Sequence, residues 1–388
     1  MHVLICPDSF KESLAATDVA RAIDEGWRQA APHDTTDLAP LADGGEGTVD
    51  ALVTALDGTF RTQPVTGPDG SRVDATFGLV DEGRTAIIET AAASGLDLVP
   101  AARRQPMTAT SRGTGELIRA ALDQQVTRVI VGLGGSATVD AGSGLLQALG
   151  ASLLDAQGHP IGPGGKGLAS LATIDLAGLD PRLRDVELDV AVDVDNPLCG
   201  PDGAARTFGP QKGADEQAVA FLEEALAHTA RVVERDLDRD LLGIAGGGAA
   251  GGLGASLAGL VDATLRPGID LVLDAVRLHE RIAEADLVVT GEGRIDGQTL
   301  RGKTPMGVAR AAGRHGVPVV ALAGSIGTGL GHLQERGIAA VFSIAPGPCS
   351  LEQAIDEAAH NLTATARNIA AVIHSGTRPH PGALARPS

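Results

Sequence analysis

Three compact apolar runs near the C-terminus, ADLVVTGEG (285–293), VPVVALAGS (317–325) and AAVFSIAPG (339–347), are each followed by a stretch of helical pattern. Continuous apolar strands separated by helices cannot leave a face in water. They demand a parallel sheet covered on both sides. The same rhythm opens the chain. HVLICPDS reads as a buried strand. In TDVARAIDEGWRQA, Val19, Ile23 and Trp27 recur every four residues as a helical stripe, with Thr17 as N-cap. DLAPLADGG then leads into the helical GTVDALVTAL. Two βα units at one end and three at the other predict a five-stranded, flavodoxin-like (Rossmann-like) sheet built from both termini.

Between these ends the texture changes. Residues 60–100 alternate polar and apolar, with PDG at 68–70 as a turn, and predict antiparallel hairpin structure. Helices and strands resume from about 114, including RVIVGLGG and VELDVAVDVDNP, with a helix expected over 215–236. The expected organisation is two α/β domains. Residues 1–64 and 283–375 form the flavodoxin-like domain, residues 65–282 an inserted mixed α/β domain, and residues 376–388 a disordered tail.

Composition limits the partners. A formal net charge of −18 disfavours nucleic acid and anionic membrane surfaces. No run reaches the roughly 18 apolar residues of a membrane helix. The N-terminus lacks the basic and apolar regions of a signal peptide. Cys6, Cys199 and Cys349 form no CxxC pair, and the histidines have no metal-ligand spacing. A cytoplasmic protein, monomeric or homodimeric, is expected. Of 31 basic residues only Lys11, Lys166, Lys212 and Lys303 are lysine, and all four lie in loop-like stretches. A compact ammonium in a loop suits phosphate.

GQTLRGKT (297–304) fits the phosphate-loop pattern G-x-x-x-x-G-K-[ST]. A P-loop follows its strand directly, yet here the strand is expected to end near Gly291, some six residues before Gly297. With 52 glycines in 388 residues, a glycine five places before GKT is a common accident. The segment is read as a ligand loop at the carboxyl end of a strand. Thr304 and Pro305 open a helix whose N-terminus attracts anions.

Other loops carry chemistry in the same position. PDSFKES brings Asp8, Ser9 and Lys11 to the end of the first strand, and LADGGEGT brings Asp43 and Glu46 to the end of the second. GLGGSATVDAGSG, with Gly134, Gly135 and Ser136, allows backbone to approach a phosphate or carboxylate. GGGAAGGLG (246–254) is either a similar loop or a helix packed closely through small residues. TSRGTGE offers Ser111, Arg112 and Thr114 at a helix start. DVDNPLCGPDGAARTFGPQKGA groups Asp193, Asp195, Asn196, Arg206 and Lys212. Asp is suited to taking a hydroxyl proton or holding Mg2+. Backbone-rich loops, several carboxylates and sparse cations suit phosphoryl transfer. The residues alone reach a nucleotide-using enzyme with the acceptor open.

In order along the chain, PDSFKESL, PLADGGEGTVDAL, AAASGL, TSRGTGELI, GLGGSAT, DVDNPL, FGPQKGA, GAAGGLGA and VVTGEGRIDGQTLRGKTPMGVA resemble the signatures of the bacterial type I glycerate kinases. The likeness spans about residues 1 to 373. It implies phosphorylation of D-glycerate to 2-phosphoglycerate by ATP with Mg2+, in a site between two α/β domains. Carried onto this chain, it implies Asp193, Lys11, Lys303 and Asp8 as catalytic residues. Ser111, Arg112, Thr114, Asn196 and Ser9 would hold substrate. Gly134, Gly135, Ser136, Gly291, Glu292, Gly293, Arg294 and Lys212 would hold nucleotide, and Asp43 and Glu292 the metal. Two positions depart from the family pattern: Val139 stands where GGSATND has Asn, and Asp195 where DVTNPL or DVNNPL has Thr or Asn. Neither is expected to be indispensable. A different small hydroxy acid as acceptor, or 3-phosphoglycerate as product, are the alternatives within this class. A silent metabolite-binding protein is the alternative outside it.

Overall fold

The structure is a computed structural model that describes residues 1–10, 12–42, 47–297, 299, 303–328 and 333–375. Its strands, numbered in chain order, are β1 (His2–Ile5), β2 (Thr35–Leu38), β3 (Thr59–Thr66), β4 (Arg72–Val80), β5 (Thr85–Glu89), β6 (Arg128–Gly132), β7 (Ser152–Leu154), β8 (Thr173–Asp175), β9 (Glu187–Ala191), β10 (Thr264–Arg266), β11 (Leu287–Ile295), β12 (Val319–Ile326) and β13 (Ile338–Ser343). Two compact units result: Met1–Asp43 with Leu273–Ser388, and Gly44–Val272.

The first unit holds a parallel sheet in the order β13-β12-β11-β1-β2. Counted along the chain, that order is 2-1-3-4-5, the flavodoxin-like arrangement expected from the sequence. The N-terminal strand sits inside the sheet, between β11 and β2, because Val3, Leu4 and Ile5 are all fully buried and need cover on both faces. On one face, Val19, Ile23 and Trp27 of the helix Ala16–Ala30 meet Leu362, Ala366 and Ile369 of Ala358–Ser375. Gly26 permits this contact, since a Cβ there would lie 2.1 Å from the Thr363 carbonyl oxygen. On the other face, Met306 and Ala309 of the helix Thr304–His315 pack against Ile295, Ala321 and Ile338. Two local expectations need correcting. The first helix begins at Ala16, so Thr17 lies inside its first turn and does not cap it. β11 runs past Gly291 to Ile295, because pairing with β12 continues to Ile295↔Ile326 and Ile295 is buried.

The second unit holds a mixed sheet in the order β10-β9-β6-β5-β4-β3, with β3, β4 and β5 antiparallel and β5, β6, β9 and β10 parallel. β7 and β8 form a small antiparallel pair. The PDG turn closes the β3–β4 hairpin, with Gly70 at φ +82°. The helix Thr48–Ala55 packs on this sheet, where a Cβ on Gly78 would fall 2.3 Å from Val53 Cγ2. That contact explains why the first boundary falls at 43/44 instead of 64/65: the helix finds its apolar partners in β4. The second boundary falls at 272/273, against 282/283 from the sequence pattern. The expected tail, 376–388, lies outside the described residues. The long helix Glu216–Leu237 starts at Asp215, whose side chain accepts from the Ala218 amide at 2.8 Å. No helix among the described residues is long and apolar enough to cross a membrane.

Candidate active site

In open α/β sheets ligands bind beyond the carboxyl ends of the strands. In the second unit, the loops after β6 and β9 line a cavity of about 190 Å3. It gathers Gly134, Gly135 and Ser136, then Asp193, then Phe208, Gln211 and Lys212, then Ala249 and Ala250. Four motifs spread over more than a hundred residues thus converge. AAASGL joins them, because the Leu96 amide donates to Gly135 O at 2.8 Å and the Ala137 amide to Ser94 O at 2.8 Å. GGGAAGGLG both contributes to the cavity wall and packs closely through its small residues. Ala249 and Ala250 line the cavity, while Gly251 packs against the Thr138 carbonyl.

Lys212 is 3% exposed. Its ammonium donates to Ser136 Oγ at 2.8 Å and to Thr138 O at 2.8 Å. Burial pushes its pKa down to about 7, against the opposing pull of Asp140. Asp140 is itself fully buried, which raises its carboxyl above the usual range. Four donors offset that burial: the Ser111 amide at 2.9 Å, the Ser111 hydroxyl at 2.8 Å, and the amides of Gly142 and Gly144 at 3.1 and 3.4 Å. Asp193 lies past the end of β9, where its Oδ1 accepts from the Gly268 amide at 3.0 Å.

The expected substrate residues are not all on this cavity. Ser111 is buried, its hydroxyl donating to Asp140 and accepting from the Leu145 amide at 3.1 Å. Thr114 is buried against Ser94, with 2.9 Å between hydroxyls. Arg112 is exposed and pairs with Glu116 at 3.1 Å. Asn196 donates to Asp202 O at 2.7 Å. Of the two departures, Val139 packs in the aliphatic core and Asp195 is exposed.

The first unit has a cluster of its own, at the carboxyl ends of β1 and β11. The Asp8 amide donates to Gly291 O at 2.8 Å. Asp8 Oδ2 accepts from the Thr304 hydroxyl at 2.6 Å and Oδ1 from the Ser9 amide at 2.6 Å. Glu292 is 6% exposed, accepts from the Thr299 hydroxyl, and lies 3.7 Å from Lys303 Nζ. Lys303 occupies the N-cap position of the helix Thr304–His315, beside Pro305 in its first turn. A helix N-terminus with an adjacent ammonium favours an anion. Gly291 and Gly293 lie on β11 with Glu292, and Arg294 turns outward to Asp296 at 2.9 Å. Lys11 and Asp43 lie outside the described residues. No group of three or more metal-type side chains occurs among the described residues. The carboxylates present fit a Mg2+ carried on phosphates, which needs only one or two of them.

Sequence reasoning passed over Asp140, Thr299 and Gln211. Asp140 stands in GGSATVD beside the noted Val139. An acid inside a glycine-rich, hydroxyl-rich loop was the available signal.

The profile of the glycerate kinase family matches residues 3–374. The chain belongs to the glycerate kinase family. It is 53% identical over 373 residues to a glycerate kinase of Bacillus subtilis (strain 168), covering 96% of this chain and 98% of that one. Glycerate 2-kinase of Escherichia coli (strain K12) is 49% identical over 378 residues, covering 97% and 99%. A crystal structure assigned as glycerate kinase 2 from Salmonella typhimurium LT2 superimposes with a TM-score of 0.90 at 52% identity, covering 97% and 99%. As a member of the glycerate kinase family this chain is a kinase, with a small-molecule acceptor and a nucleotide as phosphoryl donor. The resemblance first read from its motifs holds.

Proposed function

We propose that the chain transfers the γ-phosphoryl group of ATP to the 2-hydroxyl of D-glycerate, giving 2-phosphoglycerate and ADP. The observation that supports this reading most is the 49% identity, over 97% of the chain, to a protein named glycerate 2-kinase. Asp193 takes the proton of the 2-hydroxyl as that oxygen attacks the γ-phosphorus and the bond to the β-phosphate oxygen breaks. The Gly268 amide orients the Asp193 carboxylate for this step. Lys303 and Lys11 neutralise charge growing on the transferred group, and the N-terminus of Thr304–His315 adds to that field. Asp8 holds Thr304, and through it the start of that helix. Mg2+ on the phosphates, with Glu292 and Asp43 as its carboxylates, would supply further charge neutralisation when bound. The chain's three cysteines are free, which suits a reducing cytoplasm.

Phosphorus NMR of the product tests the assignment. A phosphorus coupled to one proton identifies transfer to the 2-hydroxyl. Coupling to two protons would make the product 3-phosphoglycerate. Turnover with another small hydroxy acid but not with D-glycerate would replace the substrate.

A further inference from the structure

The family resemblance carries Lys212 and the Gly134–Ser136 loop over to the nucleotide. The cavity they line is small for that. At about 190 Å3 the cavity suits a small acid better than a nucleotide. D-glycerate has about seven non-hydrogen atoms and ATP about thirty, and sites for ligands of the larger class run to roughly 300–1,000 Å3.

The charges point the same way. Among the described residues lining the cavity, Lys212 is the cation and Asp193 the carboxylate. An ammonium has three N–H bonds. Ser136 Oγ and Thr138 O take two, which fixes the nitrogen at the wall and leaves a third donor for a ligand. Ser111 and Arg112, expected to grip the substrate carboxylate, are engaged by Asp140 and Glu116, and neither lines the cavity. In a 2-hydroxy acid the hydroxyl-bearing carbon adjoins the carboxylate. A cavity with one cation and one proton acceptor matches that pair of groups.

We propose that Lys212 is a substrate-binding residue whose ammonium holds the carboxylate of D-glycerate in this cavity and so presents the 2-hydroxyl to Asp193. The assignment rests on the glycerate kinase reading above and adds the anchor that selects a 2-hydroxy acid. The groups that face Lys212 are Asp140, from the glycine-rich loop, and Asp193, on the same cavity. Burial lowers the pKa of the ammonium to about 7, and an incoming carboxylate favours its charged form.

The test is Lys212→Gln. A hydrogen bond between charged partners is worth a factor of roughly 10 to 150. The KM for D-glycerate should therefore rise at least about 10-fold. The Kd for a non-hydrolysable ATP analogue, measured without glycerate, should stay within about 3-fold. A loosened analogue with an unchanged glycerate KM would return Lys212 to the nucleotide and overturn the proposal. Should the variant fail to fold, the wild-type protein decides. Lys212 acetylation by a small anhydride, followed by peptide mass spectrometry, should be slowed by D-glycerate and not by the ATP analogue. Protection by the analogue alone, or none by glycerate, would also overturn it. If wild-type enzyme makes no 2-phosphoglycerate, the broader reading fails instead, so the two failures are distinct.

Discussion

One carboxylate oxygen of Asp140 accepts both the amide and the hydroxyl of Ser111, 29 residues earlier, at 2.9 and 2.8 Å. The bond pair ties the start of the helix Arg112–Leu122 to the glycine-rich loop after β6. Asp140→Ala would strand four buried donors at once. It should cost about 3 kcal/mol or more of the second unit's stability, read from urea unfolding. Asp140→Asn keeps one acceptor oxygen and should lose less. An alanine variant as stable as wild type would mean that water replaces the carboxylate.

Asp193→Asn retains an oxygen for the Gly268 amide and removes the proton acceptor. Turnover should fall by about 10²- to 10⁴-fold, with the KM for glycerate changed only a few-fold and the circular dichroism spectrum unchanged. Near-normal turnover would remove the role as base.

The five-stranded sheet, the β3–β4 hairpin, β6 and β9 were legible in the sequence because hydrophobic periodicity is local, whereas β7, β8 and β10, of three residues each, were too short to show it. Val3, Leu4 and Ile5 announce a central strand, and PDG announces the β3–β4 turn. The loops of the site were legible as motifs for the same reason. What escaped was the choice of partners across the chain. Nothing local says that Thr48–Ala55 packs on β4, that Asp140 satisfies Ser111, or that Glu116 occupies Arg112. Each is settled by which buried polar or apolar group lacks a neighbour once the sheets form. Lys212 was recognised as a loop cation, but its burial, which changes what it can bind, is a property of the fold.

Asp34 gives the first unit a pH dependence. Burial alone would raise its carboxyl, but donation by the Trp27 indole, the N-terminal ammonium and His374, each at 2.9 Å, leaves it below the ordinary value. A depressed folded-state value means stability that is present above the unfolded pKa of about 3.8 and is lost as pH falls through the folded one. Asp34→Asn should lower the melting temperature by a few degrees at pH 7. That difference should shrink steadily below pH 4 in thermal scans. A constant difference across the range would exclude the linkage.

Lys303 and Glu292 face one another at 3.7 Å beside the helix N-terminus. Lys303→Met should cut kcat by about 10²-fold or more, with a smaller change in the KM for glycerate. Chelation of divalent metal should abolish turnover in the wild type, and Mg2+ should restore it. Full activity in chelator would remove Glu292 and Asp43 as metal carboxylates.

Gly251 and Gly313 make a paired test of what glycine does here. At Gly251, φ is +71° and a Cβ would stand 1.9 Å from the Thr138 carbonyl oxygen, the atom that accepts from Lys212. Alanine there must move that carbonyl, adopt a left-handed backbone, and shift the lysine. Gly251→Ala should cost about 2–4 kcal/mol and raise the KM for glycerate together. At Gly313, inside the helix Thr304–His315, a Cβ meets nothing within 4 Å. Gly313→Ala should stabilise by up to about 1 kcal/mol through helix propensity, with kinetics unchanged. The two variants differ in what the added methyl touches and in the backbone it must adopt. An unchanged KM for glycerate in Gly251→Ala would show that the Thr138 carbonyl does not hold Lys212 in place.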